Sequence, residues 1–504
     1  NQKRSLMDYN DLDLMTTYLD ESEQQVVKED GSLSDILKQT QFRSNMAYNQ
    51  LQQLVSYKEH RTRSNSDLVE EILFHKGRYD TQGRLMRFRE TTTTKNMYPS
   101  QPDFEVTNTK ERFSSTYNGA GLLESSTQIL SSSSSPDLLI IEDTTDIKYD
   151  HQGREQSFVR NEHHTNKPGS TSSIDMYKRT TRQNASYDER GRLRSHTDQI
   201  RHHNKLVAWT ETLRTSDINY NEWGERSAYE RHEESSQAPY GPASISFQVT
   251  DTDEWGQALA TTERREKGTL IEIRKRSDMK RNAAGILNSY IETLNQPPSN
   301  LETKTTWKGN HDSLGRLIAF WETEKKEGTP LSTSRHQTNI RHNGLGQQLS
   351  YQETQKSSAT PDLISTINWK SIGYNTAGYL DGFKQEKDTT GPETHIQDRW
   401  IRTNMGYRKN GLLMSYEDES WSSQAPDLII RRQRKQTQYD GWGREFGFVE
   451  EERRQSEDLS MNIKLDRTRT ATSYNDKGQM TAKKDRERSS LDPQVVDHIR
   501  WEGT

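Results

Sequence analysis

Apolar positions in this 504-residue chain never settle into a sustained 3.6-residue period, and proline recurs, so the pattern argues against helices. The longest uninterrupted apolar run is LIAFW, Leu317 to Trp321. Long polar segments rich in Thr, Ser, Glu, Arg and Gln dominate; RETTTTKN, Arg89 to Asn96, is typical. Aromatic residues enter them at one phase, as Tyr57, Phe88, Phe158, Tyr229, Tyr290, Phe320, Tyr351, Phe383, Tyr416 and Phe448. An acidic residue often stands two positions further on, as Glu90, Glu322 and Glu353 do, which is the same face of an extended strand. The pattern predicts strands whose specificity comes from cross-strand pairs: Thr on Thr, Glu on Arg or Lys, aromatic on aromatic. Each such pair contributes roughly 0.2–1 kcal/mol.

Each of those aromatics lies five residues after the end of a recurring turn motif: Tyr, then Asp or Asn, two free residues, and Gly. Fifteen copies start at Tyr9, Tyr48, Tyr79, Tyr117, Tyr149, Tyr187, Tyr220, Thr252, Arg281, His311, His342, Tyr374, Tyr407, Tyr439 and Tyr474, spaced 29 to 39 residues apart. Arg408 is the exception at the second position; Asp13 and Gln52 are the exceptions at the last. Asp or Asn at the first corner of a type I turn bonds to the turn's own backbone, and Gly at the fourth position accepts positive φ. The clearest corners are Tyr79–Asp80–Gly83, Tyr149–Asp150–Gly153, Tyr187–Asp188–Gly191, Tyr374–Asn375–Gly378 and Tyr439–Asp440–Gly443.

A second punctuation falls midway: Pro136–Asp137, Pro361–Asp362 and Pro426–Asp427, with weaker forms ending at Leu68, Phe104 and Leu459. Each Pro follows the preceding motif glycine by 15 residues and precedes the next motif tyrosine by 13. Pro and Asp mark turns, so the unit reads as strand, Pro-Asp turn, strand, Asp/Asn-Gly turn. About thirty strands of roughly 11–13 residues follow, near 40 Å each. An open sheet of that size curls or closes. With near-constant period and no linker, the expectation is one array over 1–504, a segment of a longer repeat protein. It is an antiparallel meander spiralling into a hollow tube or shell, each unit touching its neighbours and those one winding away.

Only 28% of residues are apolar, too few for ordinary globular domains, yet 70 basic residues nearly balance 75 acidic ones and the net charge is −5. The absence of Cys excludes disulfides and thiol chemistry. No run reaches the length of a membrane span, and no basic patch suggests nucleic acid. The chain opens on NQKRSLMDYN, which reads as an internal cut or a processed end. His163–His164 and His202–His203 are neighbours on strands, so each pair divides between opposite faces and makes no chelate alone. No phosphate-binding, serine-hydrolase or zinc-protease motif occurs, so no cofactor, metal or catalysis is expected. Trp223, Trp255 and Trp442 each precede a motif glycine and are expected to pack between adjacent turns.

YDTQGRL (Tyr79 to Leu85), YDERGRL (Tyr187 to Leu193) and HDSLGRL (His311 to Leu317) resemble the tyrosine-aspartate, or Rhs-type, repeats of bacterial toxin shells, wall-associated surface proteins and teneurins. The resemblance implies hairpins spiralling into a hollow β-shell at the cell surface or outside the cell, able to enclose a polypeptide. The unit here is longer than the family's typical one. Where the family has a second tyrosine two residues before the motif, this chain has Met46, Ile147, Ala185, Ile218, Ile372 and Met405. LDPQVV, Leu491 to Val496, lacks the glycine of the family's self-cleaving segment. The expected function is therefore structural: an extracellular tube, fibre or shell whose partners are further copies of the repeat. Alternatives are a cell-surface adhesin binding glycans through aromatics such as Trp307 and Trp369, and a shell around a toxin polypeptide.

Overall fold

The structure is a computed structural model that describes residues 2–25, 36–98, 104–236, 242–268, 270–297, 301–440, 443–456, 458, 460–475 and 480–503. Among these residues there is no helix. Thirty-one strands follow one another from β1 (Gln2–Tyr9) and β2 (Met15–Gln24) to β30 (Met480–Ser489) and β31 (Asp492–Glu502). They run 8 to 15 residues. Every strand pairs antiparallel with the next one in sequence, making one meander sheet. The sheet does not close into a barrel, because no ladder joins β1 to β31. The all-β tandem-hairpin expectation is met.

A feature not anticipated from sequence recurs three residues before the motif. Leu6, Asn45, Lys76, Asp146, Asn184, Asp217, Asp278, Asn339, Asn404 and Gln436 all adopt φ between 50° and 60°. Register slips there, as between His75 and Arg78 or between Lys435 and Gln438, mark a β-bulge. Most of these residues are Asn or Asp, which tolerate the left-handed region best. The bulge turns the following side chain inward: Ile147, Ala185, Ile218, Met279 and Ile340 are buried. Ser371 is not in that conformation, and Ile372 after it is 49% exposed.

Beyond neighbouring strands, four backbone hydrogen bonds among the described residues tie distant parts of the chain together. Glu105 N–H donates to Ser313 O at 2.9 Å, Asp137 to Gly344 at 2.8 Å, Asp175 to Thr376 at 2.8 Å and Ala208 to Lys409 at 2.5 Å. Glu105, Asp175 and Ala208 are the first residues of β7 (Glu105–Tyr117), β11 (Asp175–Tyr187) and β13 (Ala208–Tyr220), and Asp137 is the third residue of β9 (Ser135–Tyr149). Each acceptor is the third residue of a turn motif 201 to 208 residues later, thirteen strands on. Asn343 Nδ2 also donates to Ser172 Oγ at 3.2 Å, and Trp209 meets Tyr379 at 6.4 Å. A cleft of about 790 Å³ lies along the same seam, between Ser64, Asn65 and Ser66 on one side and Trp255, Asn282 and Gly285 on the other. The ribbon is thus a spiral: its mid-unit-turn edge rests on the motif-turn edge of the next winding.

Thirteen strands at about 4.8 Å and a ribbon about 35–40 Å wide place facing walls roughly 20–25 Å apart, against about 10 Å for two packed sheets. The accessible surface is 29144 Å². A compact protein of this mass exposes about 19,000 Å². The excess is what one uncovered layer produces.

Candidate functional site

Three sets of residues recur around the spiral: the corners, the mid-unit turns and a ladder on the concave face. At the corner Tyr79–Asp80–Gly83, Asp80 Oδ1 accepts the N–H groups of Gln82 and Arg84, each at 2.9 Å. Gly83 closes the turn by donating to Asp80 O at 3.1 Å with φ 80°. Asp150 and Asp188 accept the same pair of amides in their corners, and Asn375 accepts those of Ala377 and Tyr379 at 3.0 Å. Asp440 accepts from Arg444 at 2.9 Å. Gly153, Gly191, Gly378 and Gly443 all have positive φ. Where glycine is missing, Asp13 and Gln52 are forced to φ 56° and 60°.

The motif tyrosines are inter-hairpin tethers. Tyr79 donates its hydroxyl to Leu54 O at 2.6 Å, Tyr149 to Leu123 O at 2.7 Å, Tyr374 to Gln348 O at 2.5 Å and Tyr439 to Leu413 O at 2.5 Å; Tyr187 donates to Glu155 O. Each acceptor belongs to the first strand residues after the preceding corner. The arginine after the glycine completes the corner. Arg84, Arg154, Arg192 and Arg444 bind their own corner aspartate through Nε at 2.7 to 2.8 Å. The same guanidinium groups lie 4.5 to 4.9 Å over the rings of Tyr117, Tyr187, Tyr220 and Tyr474 in the next unit. Trp223 and Trp255 meet at 6.0 Å between adjacent corners; Trp442 lies outside the described residues.

The Arg154 backbone amide, joined by its guanidinium and by Gln152 N–H, holds the Asp150 carboxyl down to about 2; Asp80 and Asp188 are lowered for the same reason. A carboxyl whose pKa is lower folded than unfolded stabilises above its unfolded value, and that stability is lost as pH falls through the folded one. Asp150 is therefore expected to titrate near pH 2 by carbon NMR of its carboxyl. Asp150→Asn should leave the corner intact at neutral pH, since Asn occupies this position in sister units, and should remove its acid sensitivity between about pH 4 and 2. A midpoint near 4 for Asp150 would refute this.

The mid-unit turns differ from expectation. The reversals fall on Ser133–Ser134, Ser358–Ala359 and Ser423–Gln424, between the pairs Ser132–Ser135, Ser357–Thr360 and Ser422–Ala425. Pro136–Asp137, Pro361–Asp362 and Pro426–Asp427 come one step later, in a bulge opening the returning strand. Pro has no N–H to give a ladder, so a bulged strand start suits it better than the turn. The residue that anchors each turn is serine. Ser133 donates its N–H to Thr107 O and accepts Thr107 N–H on its hydroxyl, both at 2.9 Å. Ser64, Ser236, Ser358, Ser423 and Ser490 repeat this reciprocal pair with the residue 26 positions earlier. The sequence signal was present, as Ser three places before the Pro.

The aromatic phase and its acidic follower share one face with arginines from the alternate strands. In β24 (Leu380–Gly391) to β29 (Asn462–Tyr474) the ladder is continuous. Arg402 lies 3.7 Å over Tyr416 and Arg434 3.8 Å over Phe448, with Arg469 on the other side of Phe448 at 4.9 Å. Each arginine binds the carboxylate directly across its hairpin: Arg402–Asp418 at 2.7 Å, Arg434–Glu450 at 2.9 Å and Arg469–Asp485 at 2.7 Å. Arg4–Asp20, Arg43–Glu59, Arg182–Asp198 and Arg276–Glu292 have the same 16-residue separation. Buried Phe88, Phe158, Phe320, Phe383 and Phe448 lie on this face with buried Glu59, Glu142, Glu353 and Glu450. It is the concave face: one depression of about 560 Å³ gathers ladder residues from five consecutive strands.

The two histidine pairs divide between faces as strand geometry requires. His163 stacks on Tyr177 at 4.2 Å and reaches Asp175 at 2.8 Å, while His202 stacks on Trp209 at 4.5 Å. Among the described residues no group of three or more metal-ligating side chains converges. What the fold defines is a tandem β-hairpin repeat protein built as one antiparallel meander. No family model matches the chain, and no curated protein matches it.

Proposed function

We propose that this chain is a non-catalytic wall: a structural repeat protein whose hairpins wind into a tube that serves in an extracellular fibre or shell. The observation that carries this reading is the seam, in which successive windings join through main-chain bonds at a nearly constant offset. The repeated parts all hold strands together. Corner aspartates bind their own turns, tyrosines and serines tether adjacent hairpins, and the arginine ladder joins neighbouring strands. The residues on which a glycan-binding reading rests are already engaged: Trp307 stacks on Tyr290 and Trp369 on Tyr351, both at 5.2 Å. Small-angle scattering of dilute protein should give a radius of gyration of roughly 30 Å or more for a tube about 100 Å tall, against about 23 Å for a compact chain of this length. A value near the compact one would sink the proposal.

A further inference from the structure

Two departures from the repeat coincide with the cleft in the seam. Each motif tyrosine that tethers a hairpin donates to the residue two places after the preceding motif's last position, as Tyr79 does to Leu54 O and Tyr439 to Leu413 O. Four successive corners lack this tyrosine: the last two carry a histidine ring, His311 and His342, and the first two carry Thr252 and Arg281. The carbonyl that a tyrosine at 281 would take is that of Ala258, and Ala258 and Arg281 both line the cleft of about 790 Å³. The seam bond is missing at the same place. One unit before the contact of Glu105 with Ser313, the counterparts are Leu68, which opens β5 (Leu68–Tyr79), and Ala283, the third residue of its motif. Among the described residues no backbone hydrogen bond joins these two, and both line the cleft.

The lining suits a polyhydroxyl ligand. Trp255 is part of it and is half-buried. Trp307 and Trp369 stack on their tyrosine partners at 20° and 14°, but Trp255 meets Trp223 tilted at 54°. Its corner is fixed in place: Asp253 Oδ1 accepts the N–H groups of Trp255 and Gln257 at 2.9 Å, and Asn221 Nδ2 donates to Gly256 O at 2.9 Å. Among the described residues four basic and four acidic side chains line the cleft, which leaves it without net charge. Arg63 and Glu70 on one edge, and Glu225, Lys280 and Arg281 on the other, make no ion pair among the described residues. Both edges therefore offer hydrogen-bond donors and acceptors around one aromatic side chain, in a volume typical of small-molecule sites. A sugar ring, with hydroxyls at its rim and C–H groups on its faces, satisfies both. An apolar ligand would strand the charges, and a strong anion would meet the carboxylates. We propose that this cleft binds a neutral oligosaccharide, with Trp255 against a sugar face and Arg63, Glu70 and Arg281 on its hydroxyls. The site needs the winding of the tube but not its service in a fibre or shell.

The test uses the 504-residue chain and titration calorimetry against maltotriose, cellotriose and chitotriose, with trigalacturonate as the charged comparator. At least one neutral trisaccharide is expected to bind one per chain, more tightly than about 1 mM and more tightly than trigalacturonate. Trp255→Ala should weaken that binding at least tenfold. Arg281→Tyr restores the repeat's own residue and its tether to Ala258 O; it should close the site and abolish binding while far-ultraviolet dichroism stays unchanged. Trp321→Ala, at an exposed tryptophan outside the cleft, should leave binding as it is. Failure of all three neutral sugars to bind overturns the proposal, as does binding that survives either cleft substitution or that favours trigalacturonate. Those outcomes together with a tube's scattering radius spare the wall reading, whereas a compact radius removes the wall whatever the sugars do.

Discussion

Arg434→Met is expected to loosen the hairpins of β26 (Leu413–Ser422), β27 (Ala425–Tyr439) and β28 (Glu445–Ser456) by about 3 kcal/mol. Arg434 binds Glu450 through two nitrogens at 2.9 and 3.0 Å, binds Glu445 at 2.9 Å, and spans the rings of Phe448 and Tyr416. The Glu450 side chain is only 6% exposed. Methionine retains the stem's contacts with the rings but leaves a buried carboxylate facing Arg467 alone, at 3.8 Å. Removing one partner of a buried pair costs about 3–5 kcal/mol, and Arg467 keeps the expectation at the low end. Repeat arrays do not unfold as one unit, so the readout is native-state hydrogen exchange, in which amides of these three strands should exchange about a hundredfold faster or more. Adding Glu450→Leu should restore most of the protection, because an apolar pair of similar volume lacks the stranded charge. Unchanged exchange in the single variant would remove the ladder from any account of stability.

Gly344→Val is expected to part the windings where they touch. Gly344 is the third residue of its motif, and a β-carbon there would press on the Asp137 carboxylate from the previous winding. Its carbonyl is also the acceptor for Asp137 N–H at 2.8 Å. Overpacking of this kind costs about 1–3 kcal/mol, and the lost bond adds about 1 kcal/mol. Protection of the Asp137 amide should collapse while the ladders of β9 persist. Gly119→Val is the matched control in dilute protein, since nothing lies within 4 Å of a β-carbon at that site. Equal effects from the two substitutions would mean that the seam does not bear on stability.

The corners were legible in the sequence because their chemistry is local: Asp80 bonds to amides two and four residues on, and Gly83 needs positive φ. The face shared by Phe88 and Glu90 was legible because side chains alternate along a strand. What escaped depended on register between strands. The pairing of Arg434 with Glu450 becomes visible only once the bulge at Gln436 and the corner at Asp440 fix which residues oppose each other. The Ser423 anchor reaches Gln397 across a whole hairpin, so its proximity to Pro426 suggested a proline turn instead. The thirteen-strand winding follows from the accumulated twist and coil of the sheet, which no single residue encodes. The acceptor side of the seam is invisible for a further reason: Ser313, Gly344, Thr376 and Lys409 share only a carbonyl.

That last fact bears on how such an array can change over generations. A join made mainly of carbonyls and amides asks little of side-chain identity beyond room for close approach, as at Gly344, so gain or loss of a whole unit by recombination shifts which residues meet without removing the main-chain groups that join them. Copy number can drift, and corner residues that stand clear of the seam can diversify toward new outer surfaces. The positions held to their chemistry are then the few that shape the ribbon.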